Sequence, residues 1–199
     1  MVREARLLEE GAIYHVTCRG NNRTKIFYVT EDYRKYISNL IINKLKYKFK
    51  LYAYVLMVNH LHLLIEPQFL KDLTQIMRSL SISYSVWHNR RYGCVGHVWQ
   101  GRFGSRIIKN DQDLLACMAY IEMNPVKAGL VEDPALYKWS SCYERFHASK
   151  DGLLDMHPVY LELANTEEER RCIYYGILFK DTLLRDGSPA RSSVLKNRP

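Results

Sequence analysis

The chain has 199 residues, 47% of them apolar and 25% charged, with a formal net charge of +8. That length accommodates one ordinary domain with a sizeable core and is marginal for two; the average composition excludes wholesale disorder, and no apolar run approaches the roughly 18 residues of a membrane span. The basic balance suits a polyanion partner through counterion release, without establishing one.

The opening MVREARLLEEG carries acidic residues where a signal peptide would be apolar, so a cytoplasmic protein is expected. Five cysteines, odd in number and without a Cys-x-x-Cys pair, argue against a disulfide framework and read as free buried thiols.

In chain order, Ile13 to Cys18 alternates in β-forming residues and breaks at the turn-forming Arg19-Gly20-Asn21-Asn22-Arg23, which predicts a first strand and a basic turn. Thr30 is placed to cap a helix with Glu31 and Asp32 in its first turn and Tyr33, Tyr36, Ile37, Leu40, Ile41 and Leu45 at helical spacing. The continuous run from Leu51 to Val58 and the segment HLHLLIE, closed by Pro67, read as adjacent strands. A second helix starts near Asp72, with Leu73, Ile76, Met77, Leu80, Tyr84 and Trp87 on one side. A glycine-punctuated stretch then leads to a strand around Phe103 to Ile108. Asn110 or Asp111 caps a third helix that must end near Asn124, because Pro125 disfavours helical geometry in the residue before it.

The order β, α, β, β, α, β, α predicts an α+β fold: a ferredoxin-like antiparallel sheet with two helices on one face, leaving the other face for function. Past about Lys150 the character changes. The expected division is a catalytic domain over 1–148 and a helical appendage over 149–199. A capping box at Thr166 and Glu169 opens a helix to about Lys180, and the mobile basic tail DGSPARSSVLKNRP follows.

Side chains alternate across a strand, so His60, His62, Leu64 and Glu66 share one face and the aliphatic Leu61, Leu63 and Ile65 the other. The two histidines then stand about 6 to 7 Å apart at their Cα atoms. Two neutral imidazoles so placed can hold one divalent ion with its full charge available to polarise a phosphoryl oxygen. A His-x-His pair on a half-exposed strand is also common without any ligand.

On the third helix Leu114, Leu115, Met118 and Ile121 form the apolar stripe, and Tyr120 points roughly 150° from its centre at 100° per residue. Asn124 lies one turn below on the same side, and Glu122 on a different one. A phenol on a rigid helix can attack a phosphodiester to give a phosphotyrosine that conserves the bond for rejoining. Between residues 87 and 106, Arg90, Arg91, Arg102 and Arg106 interleave with Trp87, Tyr92, Trp99 and Phe103, a combination suited to the phosphates and unstacked bases of a single strand.

Taken together, YHVTCRGN (14–21), VNHLHLLIEP (58–67), VWQGRF (98–103), YIEMNPVKAGLV (120–131) and WSSCY (139–143) resemble the single-tyrosine HUH transposases, and within them the REP-associated tyrosine transposases. The resemblance covers about residues 11–145. It implies a domain that binds an imperfect DNA hairpin and cleaves the adjacent single strand with magnesium or manganese, leaving a 5′-phosphotyrosine and a free 3′-hydroxyl. Tyr120 would be the nucleophile, His60 and His62 metal ligands, and Asn124 would stand where many relatives carry a glutamine ligand. Arg19, Arg23, Arg90, Arg91, Trp99, Arg102, Phe103 and Arg106 are the expected DNA contacts. A monomer completing its site in cis is expected ahead of a tyrosine-helix-exchanging homodimer. A domesticated, non-catalytic hairpin binder is the alternative, distinguished by the absence of metal-dependent cleavage.

Overall fold

Strand β1 (Tyr14–Arg19) is followed by helix α1 (Thr30–Tyr47), strands β2 (Lys50–Met57) and β3 (His60–Glu66), helix α2 (Asp72–Tyr92), strand β4 (Gly104–Ile107) and helix α3 (Asp111–Glu122). The strands form one antiparallel sheet in the order β2-β3-β1-β4. That spatial order is the ferredoxin-like arrangement expected from the sequence. The computed structural model describes residues 9–147 and 152–186, with side chains through 180. The predicted boundary at 148/149 and the basic tail from 187 onward lie outside the described residues.

Helices α1 and α2 cover one face of the sheet. Tyr36, Leu40, Leu73, Ile76, Leu80 and Tyr84 are buried there against Val16, Leu61, Leu63 and Ile65. Each fully buried apolar side chain of this size contributes about 1.5–3 kcal/mol. Two details of α1 differ from expectation. Thr30 is its first helical residue rather than its cap, and the Asp32 carboxylate instead accepts from the N–H groups of Tyr28 (2.6 Å) and Val29 (3.0 Å). Leu45 is 76% exposed, because at 100° per residue it has rotated well away from the line through Tyr33, Tyr36 and Leu40.

The second face is not left open as expected. Tyr52, Ala53, Val55, Met57 and Leu64 project onto it and are covered by Leu114, Met118 and Ile121 of α3. Beyond α3 come α4 (Asn124–Lys127), α5 (Ser141–His147), α6 (Pro158–Leu161) and α7 (Glu167–Asp186). Tyr160, Tyr174 and Leu178 of the last two complete this second core. The reason is visible in β2: an unbroken apolar run, unlike an alternating one, requires cover on both faces. Among the described residues, the β1 and β4 side of this face is left accessible, and the histidine end of β3 borders it.

The predicted caps of α3 and α7 are present. Asn110 Oδ1 accepts from the Asp113 N–H at 2.9 Å, and the Thr166 hydroxyl donates to Glu169 Oε2 at 2.9 Å. Pro125 ends α3 as expected, and the chain continues directly into the single turn of α4. No helix among the described residues is long and apolar enough to cross a membrane.

Of the cysteines, Cys18, Cys117 and Cys142 are buried, whereas Cys94 and Cys172 are exposed and correct the expectation of five buried thiols. Burial pushes the Cys117 thiol up to about 11. A thiol reagent at neutral pH is expected to modify two cysteines in the native protein and the other three only after unfolding; rapid native reaction of all five would contradict this core.

Gly20 closes β1 in a tight approach to the neighbouring turn, where a Cβ would stand 2.4 Å from Thr24 O and 2.8 Å from Ile26 Cγ2. Gly20→Ala is expected to cost about 1–3 kcal/mol through overpacking against fixed backbone. Urea unfolding measures it, and an unchanged midpoint would show that the turn opens freely.

Candidate active site

Direct cross-strand partners share a face, so the register places His15, Thr17 and Arg19 of β1 beside Leu64, His62 and His60 of β3, with Arg106 and Gly104 of β4 on the other flank. Tyr120 comes down onto this group from α3. Its ring centroid lies 5.7 Å from that of His62 and 5.9 Å from that of His15, and the rings of His60 and His62 are 5.2 Å apart. Tyr120 remains 45% exposed, which leaves the phenol reachable from solvent. The three histidines, Tyr120, Thr17, Arg19 and Gly104, together with Cys18, Gln100 and Arg102, line a pocket of about 340 Å³.

The histidines are held neutral. Burial, followed by the charge of Arg106, pushes His15 down to about 4. Burial, then His15, His60 and Arg19, pushes His62 down to about 3. Burial and Arg19 also lower His60. Neutral imidazole is the form that ligates a cation.

His60 Nδ1 lies 2.7 Å from Asn59 Oδ1, and the Asn59 amide nitrogen is itself spent on Arg23 O at 3.1 Å. Asn59 therefore accepts, His60 Nδ1 donates, and Nε2 presents its lone pair. The donor set fits a divalent ion at two positions. Among the described residues no three His, Cys, Asp or Glu side chains are grouped to hold one, so further coordination would come from water, phosphate or an amide oxygen.

Asn124 is folded back on its own helix, its Nδ2 donating to Tyr120 O (2.8 Å) and Ile121 O (3.3 Å), and it does not line the pocket. Glu122 points inward, where it pairs with Arg145. Sequence reasoning did not single out His15, Gln100 or Lys127. Strand alternation from Arg19 back to His15 was the available signal for the first. Lys127, whose Nζ sits 4.9 Å from the Tyr120 ring centroid, follows that tyrosine by seven residues, two helical turns.

Comparison with known proteins shows the family and the fold. The profile of the family described as "Transposase IS200 like" matches residues 9–124, more than half of the chain and the span that carries His15, His60, His62 and Tyr120. The chain belongs to this transposase family. A Haemophilus influenzae protein assigned as a REP-associated tyrosine transposase is 30% identical over 161 residues, covering 75% of this chain and 86% of that protein. A solved REP-associated tyrosine transposase bound to a REP hairpin shares the fold, with a TM-score of 0.63 and 23% identity over 80% of this chain and 90% of that one.

In this IS200-like transposase the predicted DNA contacts do not all converge on the pocket. Arg19 and Arg102 line the pocket, and Arg106 is the cross-strand partner of His15. Arg23 is exposed on the basic turn, at a positive φ of 58°. Arg90 and Arg91 lie on the last turn of α2, away from the pocket lining, and Arg91 is engaged with Asp32 at 3.6 Å and with the Trp87 ring. Trp99 and Phe103 do not present free rings. Both pack against the core under α1 and α2, and Trp99 Nε1 donates to Ser81 O at 3.1 Å.

Proposed function

We propose that this transposase binds a DNA hairpin and cleaves and rejoins the adjacent single strand through a covalent bond to Tyr120. The observation that carries the reading is the convergence of His60 and His62 from β3 with Tyr120 from α3 on a part of the sheet that the described helices leave uncovered. Magnesium or manganese held by the two Nε2 atoms would polarise a phosphoryl oxygen and stabilise the charge that builds during displacement.

The remaining chemistry belongs to the chain. The Tyr120 oxygen attacks phosphorus, the P–O bond to the 3′-oxygen breaks, and that oxygen leaves with a proton as a 3′-hydroxyl. The 5′-phosphate stays on the tyrosine, and attack by another 3′-hydroxyl reverses the step, restoring the phenol. Arg19, Arg102, Arg106 and Lys127 place cations where the phosphodiester must approach. Tyr120 reaches the histidines of its own chain, which supports a monomer acting in cis. The hairpin as substrate is supported by the solved relative that holds one.

The test uses labelled single-stranded hairpins with flanking sequence. With manganese, a protein–DNA adduct that survives denaturant should form, and peptide mapping should place the nucleotide on Tyr120. Chelation should remove the adduct while hairpin binding persists. Tight binding with no adduct on any substrate would favour the non-catalytic alternative.

A further inference from the structure

His15 contributes a polar atom to the site that neither the proposed metal ligation nor the nucleophilic attack uses. Its Nε2 lies 2.9 Å from His62 Nδ1. The two rings are nearly coplanar, at 24°, with centroids 5.1 Å apart, so they meet edge to edge and the N–H of one points along the lone pair of the other. His62 is 7% exposed, so water does not readily replace that partner.

One proton lies between these two nitrogens, and either ring could own it. Neutral imidazole has one donor and one acceptor. The close approach of His15 blocks His62 Nδ1 from any cation, so a metal can reach His62 only through Nε2. That atom has a lone pair only when the proton is on Nδ1. His62 must then donate and His15 must accept.

We propose that His15 is a positioning residue that accepts the His62 Nδ1–H and thereby fixes the tautomer and ring plane in which His62 Nε2 can bind a divalent cation. This rests on the reading of His62 as a ligand. Asn59 performs the matching task for His60. The two sites differ in one respect. The Asn59 acceptor is fixed by its own bond to a backbone carbonyl, whereas His15 can supply either a donor or an acceptor and must be in the correct tautomer.

The experiment measures Mn2+ binding to the full-length protein by electron paramagnetic resonance, without DNA, for wild type, His15→Leu, His15→Asn, His15→Gln and His62→Ala. A glutamine amide oxygen can occupy the place of an imidazole Nε2; an asparagine is too short to reach it. Loss of the acceptor is expected to weaken Mn2+ binding about 10- to 100-fold in His15→Leu and His15→Asn, with His15→Gln recovering most of it. Nitrogen-15 spectra of the metal-free wild type should show His62 protonated at Nδ1 and His15 unprotonated at Nε2.

Wild-type Mn2+ affinity in folded His15→Asn, or a proton on His15 Nε2, would overturn the proposal. Should His15→Leu fail to fold, the contrast between Asn and Gln decides. Unchanged Mn2+ binding in His62→Ala would instead refute the metal site itself, and the role of His15 with it.

Discussion

Replacing Tyr120 with Phe is expected to abolish the covalent protein–DNA product, by a factor on the order of 10³ or more, while hairpin affinity stays within about twofold. The change removes one oxygen and leaves the ring in place. The ring is 45% exposed, and its neighbours His62, His15 and Lys127 meet it through edge and cation contacts that phenylalanine preserves. Stability should therefore move by no more than about 0.5 kcal/mol, the range of ordinary surface substitutions. A denaturing gel of the labelled hairpin reaction reads the first quantity and a binding titration the second. Persistence of the adduct would transfer the nucleophile to another of the chain's 15 tyrosines and end the present assignment.

The histidine pair was legible because strand alternation is a strict period of two, and HLHLLIE leaves no other way to bury three aliphatics together. Tyr120 was legible by the same kind of arithmetic on α3. His15 was not, although it sits in an equally regular strand, because its significance lies in the diagonal relation to His62 across β1 and β3. That relation depends on register, which one sequence does not specify.

The aromatic loop shows the opposite failure. Its composition suits stacking on bases, but composition does not say which way a ring faces. Tyr36 and Tyr84 offer Trp99 a buried surface, with ring centroids 6.2 and 5.8 Å away, and it packs there. The continuous apolar run of β2 already contained the signal that both faces of the sheet would be covered. What was missing was knowledge that α3 would supply the cover.

Arg145→Met is expected to destabilise the protein by about 3–5 kcal/mol, because it strands a buried carboxylate. Glu122 is fully buried; its Oε1 accepts from the Ser141 hydroxyl at 2.6 Å and faces Arg145 at 3.3 Å. Arg145 also donates to Tyr52 O at 3.0 Å and packs against the rings of Tyr160 and Tyr174, 4.4 and 5.2 Å from their centroids. These contacts join the end of α3 to β2, α5, α6 and α7, only two residues beyond the proposed nucleophile. For a domain of this size the loss corresponds to a Tm lower by roughly 10–15 °C.

The double variant Glu122→Leu/Arg145→Met separates two causes. If the penalty comes from the unpaired charge, removing both charges should restore most of the stability, since apolar replacement of a buried pair is often neutral. If the double variant is as unstable as Arg145→Met alone, the guanidinium acts through its packing against the two tyrosines. In that case the C-terminal helices, rather than the ion pair, hold the tyrosine helix over the histidines.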